Sequence, residues 1–397
     1  MAATLAPTPT FARRMSRISV SATAAMVMEA EKLRGQGQSL VDFGAGEPDF
    51  ATPEHIKQAA VAALAADFTK YTATGGIAPL KDAICQTHAR DFQSSYTREE
   101  CLVTVGGKHA LFNIISALVD HGDEVILPVP YWVSFQDQIT YAGGVPVLVA
   151  TDEARDFLLT PEMVAAKVTP RTRMVILNSP SNPSGAIFPP ATFRGILELC
   201  RERGIWLLSD ECYSKLVYEG APYSVAGEPG AKEHVIIAGS LSKTYAMTGW
   251  RLGYALAPKA VIQQALNLQS HSTSNPTSFV QKAGVAALTG SQEAVAAMLT
   301  EYRLRRAAIV NGLRAIPGIS CVMPAGAFYA YPNVSRLLKP GCATPLEFST
   351  RLLREAGVVT VPGEAFGTHA HIRLSYATSL ENIEAGLGRL RNFVVKL

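Results

Sequence analysis

The chain has 397 residues, 48% hydrophobic and 17% charged, a balance that supplies apolar surface for a real core and excludes a largely disordered polypeptide. Its 36 basic and 33 acidic side chains leave a formal charge of only +3. Basic residues gather only at Arg13, Arg14 and Arg17 and in a helical run at Arg303, Arg305 and Arg306, so no nucleic-acid partner is expected.

The first ten residues, MAATLAPTPT, carry no charge, and no acid precedes Glu29. The stretch is too short and too poor in arginine for a transit peptide, and residues 1–15 are read as an N-terminal extension. From about Thr23 to Leu33 apolar residues recur at helical spacing, and SLVDF then reads as a short strand running into GAGEPDF. The Gly-x-Gly of that loop is not a dinucleotide fingerprint, because Pro48 and Asp49 stand where a third glycine and an apolar helix should follow.

From Cys101 onward short β-branched runs alternate with longer amphipathic ones. CLVTV precedes a helix from about Lys108 to Val119, DEVILP precedes one near Trp132 to Tyr141, and RMVILN and IWLLSDE continue the rhythm. This alternation predicts an α/β fold with a mainly parallel sheet wrapped by helices. After Pro258 the pattern is helical as far as Ala315, which reads as a domain boundary. Strand-like ISCVMP, AFYAYP, GVVTVP and HIRLSY, with a helix near Pro345 to Glu355 and a last one from Glu381, predict a smaller α+β domain.

No run approaches the ~18 apolar residues of a membrane span, so a soluble, cytoplasmic protein is expected. Cys85, Cys101, Cys200, Cys212, Cys321 and Cys342 show no C-x-x-C spacing and read as buried or free thiols in a reducing compartment. His369 and His371 share a strand face with only Glu364 nearby, and no metal is expected.

In open parallel sheets ligands lie outside the carboxyl ends of the strands. The polar clusters VGGKHA, PVPYWVSF, NSPSNPSG, SDECY and GSLSK each follow a predicted strand. Gly106 and Gly107, just before a helix, leave amides bare for an anion such as phosphate, and Ser240, Ser242 and Arg251 add hydroxyls and a cation. Lys243, beside that site and apolar walls, can lose its proton and act as an amine nucleophile that forms Schiff bases. Asp210 closes an apolar strand, where an unpaired carboxylate is costly and needs a cation. The ring nitrogen of pyridoxal phosphate is such a cation, and an acid beside it keeps the ring an electron sink. Tyr213 is spaced to meet the ring's O3' and Trp132 to stack on its face, although both aromatics are also compatible with plain core packing.

These residues carry a resemblance from about Ser16 to Leu390. GAGEPDF, KYTATGG, VTVGGKHAL, PYWVSF, NSPSNPSGA, SDECY, SLSKTYAMTGWRLGY and IRLSYATS stand in the order of the class I aminotransferases of fold type I. The chain resembles their bacterial branch of aspartate and aspartate/prephenate aminotransferases. The resemblance implies a large domain over residues 50–292 built on a mainly parallel seven-stranded sheet. It implies a small domain from residues 16–49 and 293–397, and pyridoxal 5'-phosphate as cofactor.

Carried over residue by residue, it makes Lys243 the Schiff-base lysine and proton shuttle, Asp210 the partner of the ring nitrogen, and Tyr213 and Asn182 donors to O3'. Ser240, Ser242, Arg251 and the amides of Gly106, Gly107 and Lys108 would hold the phosphate. Tyr71 would join them from a second subunit, which implies a homodimer with shared sites. Arg373 would clasp the substrate α-carboxylate, assisted by Gly46, Trp132 and Asn182. No arginine lies between Arg251 and Arg303 to hold a distal carboxylate as in the other aspartate aminotransferase branch. The bacterial branch offers Lys108 with Thr23 for dicarboxylates, prephenate included.

Two departures, Cys212 for a branched apolar residue and Ser184 for threonine, bear only on local packing. The expected reaction moves an amino group between aspartate or glutamate and a 2-oxo acid such as oxaloacetate, 2-oxoglutarate or prephenate. Aromatic or alanine aminotransferases, and a β-lyase releasing pyruvate and ammonia, are the alternatives. A non-catalytic sensor fused to a DNA-binding module is not expected, because the stretch before Ser16 is too short to fold as one.

Overall fold

Runs such as Met174 to Leu177 and Val235 to Ile237, buried on both faces, can only be interior strands with helices on either side. The structure, a computed structural model, describes residues 10–18 and 22–397, with the side chains of residues 22–25 outside the described set. After a single 3-10 turn at Arg13–Arg17 come helix α1 (Ala22–Gly35), strand β1 (Val41–Asp42) and helices α2 (Glu54–Ala65) and α3 (Ala78–Phe92). Strand β2 (Cys101–Thr104) and helix α4 (Gly107–Leu118) begin an alternation that continues with β3 (Glu124–Val129), α5 (Ser134–Ala142) and β4 (Val145–Ala150). It runs on through α6 (Pro161–Ala165), β5 (Thr172–Asn178), α7 (Pro190–Arg203), β6 (Trp206–Asp210), β7 (Val235–Ser240) and β8 (Gly253–Leu256). Helices α8 (Lys259–Ser270), α9 (Ser278–Thr289) and α10 (Glu293–Arg314) follow. The chain closes with β9 (Tyr329–Ala330), α11 (Pro345–Ala356), β10 (Val358–Val359), β11 (Val361–Pro362), β12 (Ile372–Ser375) and α12 (Leu380–Lys396).

Seven strands form one sheet in the order β2-β8-β7-β6-β5-β3-β4. The sheet is parallel except for β8, which runs antiparallel to both β7 and β2. A parallel partner would need a long crossover, whereas β7 and β8 are joined by the short segment 241–252. That segment carries Lys243 and Arg251, so the reversal sets both at the same sheet end as Asp210.

A second apolar cluster, around Tyr302, Ile309, Phe328, Phe348, Tyr376 and Leu390, joins α10, α11 and α12 to two small sheets. In one of them β1 pairs with β10, bringing residues 41–42 to the C-terminal elements. The turn at Arg13–Arg17 rests on α5, where the Thr140 hydroxyl donates to the Arg17 carbonyl at 3.3 Å. No helix among the described residues is long and apolar enough to cross a membrane.

ISCVMP, expected as a strand, forms only the bridge of Ser320 with Asn333. The Cys321 carbonyl is taken instead by Arg314 Nε at 2.8 Å, and Pro324 has no N–H to extend a ladder. GVVTVP divides between two sheets, since β10 pairs with β1 and β11 with β12.

Candidate active site

Helix α4 opens with no acidic residue in its first turn, so its N-terminal dipole is not neutralised locally. The amides of Gly107 and Lys108 lie in that turn and have no acceptor within the helix. Gly106 has φ 81°, and a Cβ there would lie 2.5 Å from Arg251 Nη2, so only glycine lets the guanidinium approach this close. Arg251 donates to the Thr248 carbonyl at 2.9 Å and pairs with no carboxylate among the described residues. Ser240, whose Oγ accepts from the Ser242 amide at 3.1 Å, and Ser242 complete a set of donors around one point.

One cavity of about 260 Å³ joins this anion cradle to the ends of β5 and β6. Gly107, Lys108, Trp132, Asn182, Asp210, Tyr213, Ser240, Ser242, Lys243 and Arg251 all line it. The Asp210 carboxylate is buried and accepts from the Cys212 amide at 3.0 Å, but it has no cationic partner among the described residues. Burial pushes it up to about 7, with the Cys212 amide opposing and the Glu211 charge adding. The Tyr213 phenol meets the Tyr329 phenol at 2.7 Å, and burial drives its proton affinity well above the ordinary value.

The Lys243 ammonium donates to the Gly46 carbonyl, and burial lowers its proton affinity. The Gly44 to Phe50 loop is fastened over this segment from both sides. Thr248 donates to Glu47 Oε2 at 2.7 Å, and Thr52 donates to the Ala246 carbonyl at 2.6 Å. Opposite them, the buried Arg305 of α10 donates to Asp49 Oδ1 at 2.7 Å and lies 4.8 Å over the Phe50 ring.

Arg373, on β12, is 3% exposed, too buried for water to be its partner. It donates to Asn182 Oδ1 at 3.0 Å and to the Gly44 carbonyl at 2.8 Å, while its Nε has no partner. Gly46 stands beside it, since a Cβ there would lie 3.8 Å from Arg373 Nη2. Lys108 Nζ sits 4.9 Å over the Trp132 ring and pairs with no carboxylate among the described residues. Lys108 is exposed, yet partial desolvation against the cavity wall, then the Arg251 charge, lower its proton affinity.

Of the predicted residues, Tyr71 stands apart from this assembly and the side chain of Thr23 is outside the described set. Tyr71 is 91% exposed and borders a separate groove with Lys70 and Asn275. Thr23 falls in α1, with its side chain outside the described set. Sequence reasoning passed over Leu111, Asn178 and Thr248, which line the cavity. Asn178 closes β5 as Asp210 closes β6, so the strand-end rule applied evenly would have found it. Tyr329 had no local signal, for its partner Tyr213 is 116 residues away.

Pyridoxal phosphate fits these residues. A buried carboxylate without a cation among the described residues suits a ring nitrogen, an unpaired arginine beside free helix amides suits a phosphate, and a half-buried lysine lies in the same cavity. An aspartate aminotransferase of Geobacillus stearothermophilus is 45% identical over 386 residues, covering 96% of this chain and 98% of that one. A probable aspartate/prephenate aminotransferase of Thermus aquaticus is 44% identical over 382 residues, covering 95% and 97%. The solved structure of Thermus thermophilus aspartate aminotransferase with maleate superposes with a TM-score of 0.92 at 43% identity, over 97% of this chain and 100% of that one. The family model described as aminotransferase class I and II matches residues 38–390, and this chain belongs to that family, whose members use pyridoxal 5'-phosphate to exchange an amino group between an amino acid and a 2-oxo acid.

Proposed function

We propose that the chain is a dicarboxylate-directed aminotransferase, taking its amino group from aspartate or glutamate and passing it to oxaloacetate, 2-oxoglutarate or prephenate. When bound, pyridoxal phosphate supplies a carbonyl carbon that takes up the amino group and a ring that accepts the electron pair left at Cα. Lys243 would hold the cofactor through a Schiff base, and its amine, when free, would be the group that moves the Cα proton. Burial lowers its proton affinity, the direction that favours the free amine a base needs. Asp210 holds the proton of the ring nitrogen, and Tyr213 and Asn182 donate to O3'. Ser240, Ser242, Arg251 and the amides of Gly106, Gly107 and Lys108 hold the phosphate. Arg373 binds the α-carboxylate with Gly46, Trp132 and Asn182, and the bidentate geometry of a guanidinium fixes how Cα faces Lys243.

The observation that carries the substrate reading is Lys108, an ammonium on the cavity wall with no carboxylate paired to it among the described residues. A second carboxylate on the substrate would complete that pair, with Thr23 contributing its hydroxyl. The names of the aspartate and aspartate/prephenate relatives support the same reading. The exposed Tyr71 supports a homodimer in which it completes the partner's phosphate site. Free cysteines, five of the six buried, support a reducing compartment, the cytoplasm.

A panel of amino donors against oxaloacetate, 2-oxoglutarate, prephenate and phenylpyruvate tests the proposal. Aspartate and glutamate should exceed alanine and phenylalanine in kcat/KM by about tenfold or more. Equal rates for alanine or aromatic donors would overturn the dicarboxylate reading. Pyruvate and ammonia from a sulfur-bearing donor without an acceptor would point to a lyase.

A further inference from the structure

Glu211 follows Asp210 directly, and its amide still pairs with β7 by donating to the Ala238 carbonyl at 2.9 Å. Because successive strand residues face opposite sides, Ser209 and Glu211 turn away from the face that Asp210 presents to the cavity. Behind that strand end lies a buried polar cluster. Ser224 donates to Glu211 Oε1 at 2.5 Å and Ser209 donates to the same oxygen at 3.3 Å. His88 Nε2 lies 3.2 Å from Oε2, and His88 Nδ1 lies 2.8 Å from the Ser94 hydroxyl. With the proton on Nε2, Ser94 donates to Nδ1 and His88 donates to Glu211, so the carboxylate receives three donors. Glu211 is 5% and His88 2% exposed, so bulk solvent barely reaches either.

A small cavity of about 30 Å³ touches both His88 and Glu211, and Ser240 lines it as well as the main cavity. The cluster is therefore one side chain away from the site. A buried carboxylate is expensive to keep, and the three donors hold its charge at a fixed place directly behind Asp210.

We propose that Glu211 is a positioning residue for the reaction: its charge acts through Asp210 and strengthens the negative potential that keeps a proton on the cofactor's ring nitrogen. The inference rests on the assignment of Asp210 as the partner of that nitrogen. Without the cofactor, a second carboxylate opposes ionisation of Asp210, in keeping with the contribution of Glu211 to its raised proton affinity. With a cation against Asp210, the same charge is attractive and the ring proton is held more firmly. His88, Ser209 and Ser224 act by keeping the Glu211 carboxylate fixed.

Other charged and titratable groups also face the pair. Glu211 is faced by His88 and Asp91 from α3, by Lys215 from the turn after β6, and by the phenols of Tyr96, Tyr223 and Tyr254. Asp91 is engaged by both Lys215 and Arg90, so that group carries one net positive charge, which works against the field of Glu211. Asp210 shares its cavity with Lys243, Cys212, Tyr213 and Arg251.

The test uses the full-length holoenzyme carrying cofactor isotope-labelled at the ring nitrogen, with protonation followed by nitrogen NMR from neutral to alkaline pH. Glu211→Gln, which keeps the volume and one acceptor, should lose the ring proton at a pH lower than the wild type by about one unit, the size of a close charge effect. His88→Phe, which keeps the ring volume and removes a donor, should shift it the same way by less, and it serves alone if the glutamine variant does not fold. Asp210→Ala should lose the ring proton across the whole range. If Asp210→Ala loses it while Glu211→Gln and His88→Phe titrate as the wild type, Glu211 has no such role and the Asp210 assignment stands. If Asp210→Ala keeps the proton like the wild type, the assignment itself fails and the inference falls with it.

Discussion

Arg373 and Asn182, 191 residues apart in the chain, meet through a hydrogen bond of 3.0 Å from guanidinium Nη1 to amide Oδ1. The guanidinium has no protein carboxylate beside it, lies 4.6 Å from the centre of the Tyr329 ring, and keeps a buried Nε without a partner. A buried cation so arranged is incomplete until a ligand carboxylate arrives. Arg373→Leu should therefore raise KM for every amino donor by about 10²-fold or more, the scale of losing one partner of a buried charge pair. Steady-state kinetics with aspartate, alanine and phenylalanine checks this, and a loss confined to dicarboxylates would reassign Arg373 to the distal carboxylate.

Asp210 makes a prediction about the cofactor-free protein. Its ordinary value is 3.8 and burial pushes it up to about 7, so between those values the folded chain binds a proton that the unfolded chain releases. More protons bound in the folded state means that stability falls as pH rises through this window and levels off above it. The contribution is on the order of 4 kcal/mol at most, since each pH unit between the two values accounts for about 1.4 kcal/mol. Asp210→Asn should remove that slope and leave the cofactor-free variant more stable than the wild type above neutral pH. Urea unfolding of both proteins across the window reads it directly, and parallel slopes would show that Asp210 is not the titrating group.

The site was legible where chemistry and local backbone coincide. Paired glycines before an apolar helix, an acid closing an apolar strand, and a lysine and arginine between two apolar segments each carry their signal within a few residues, and Gly106, Asp210, Lys243 and Arg251 do converge. The alternation from Cys101 to Ser240 likewise foretells the parallel sheet, because strands buried on both faces must be continuously apolar. What stayed hidden depends on distant pairing. Strand β8 exists because Gly253 to Leu256 fits between β7 and β2, and nothing local requires it. His88 reads as an ordinary polar residue on α3 until folding brings it to Glu211, 123 residues away. ISCVMP has strand composition, yet its backbone is taken up by Arg314 from the end of α10.

Lys108 separates the two carboxylates of a substrate. Its amide lies in the first turn of α4 near Arg251, whereas its ammonium lies over Trp132 with no acid paired to it among the described residues. Lys108→Ala should cut kcat/KM for aspartate by roughly 10² or more and change phenylalanine and alanine little, since those lack a second carboxylate. Thr23→Val should act in the same direction but more weakly, a neutral hydroxyl contributing less than a charge. An equal fall for all donors would confine Lys108 to the cofactor, and no change would leave it a solvated surface lysine.

The most direct test of the proposed chemistry is where the cofactor is attached. The purified protein should be yellow, and borohydride reduction followed by proteolysis and mass spectrometry should find the cofactor's mass on the peptide carrying Lys243, with none on that peptide in Lys243→Ala. Attachment to Lys108 or any other lysine, or no attachment in a protein that still transaminates, would contradict it.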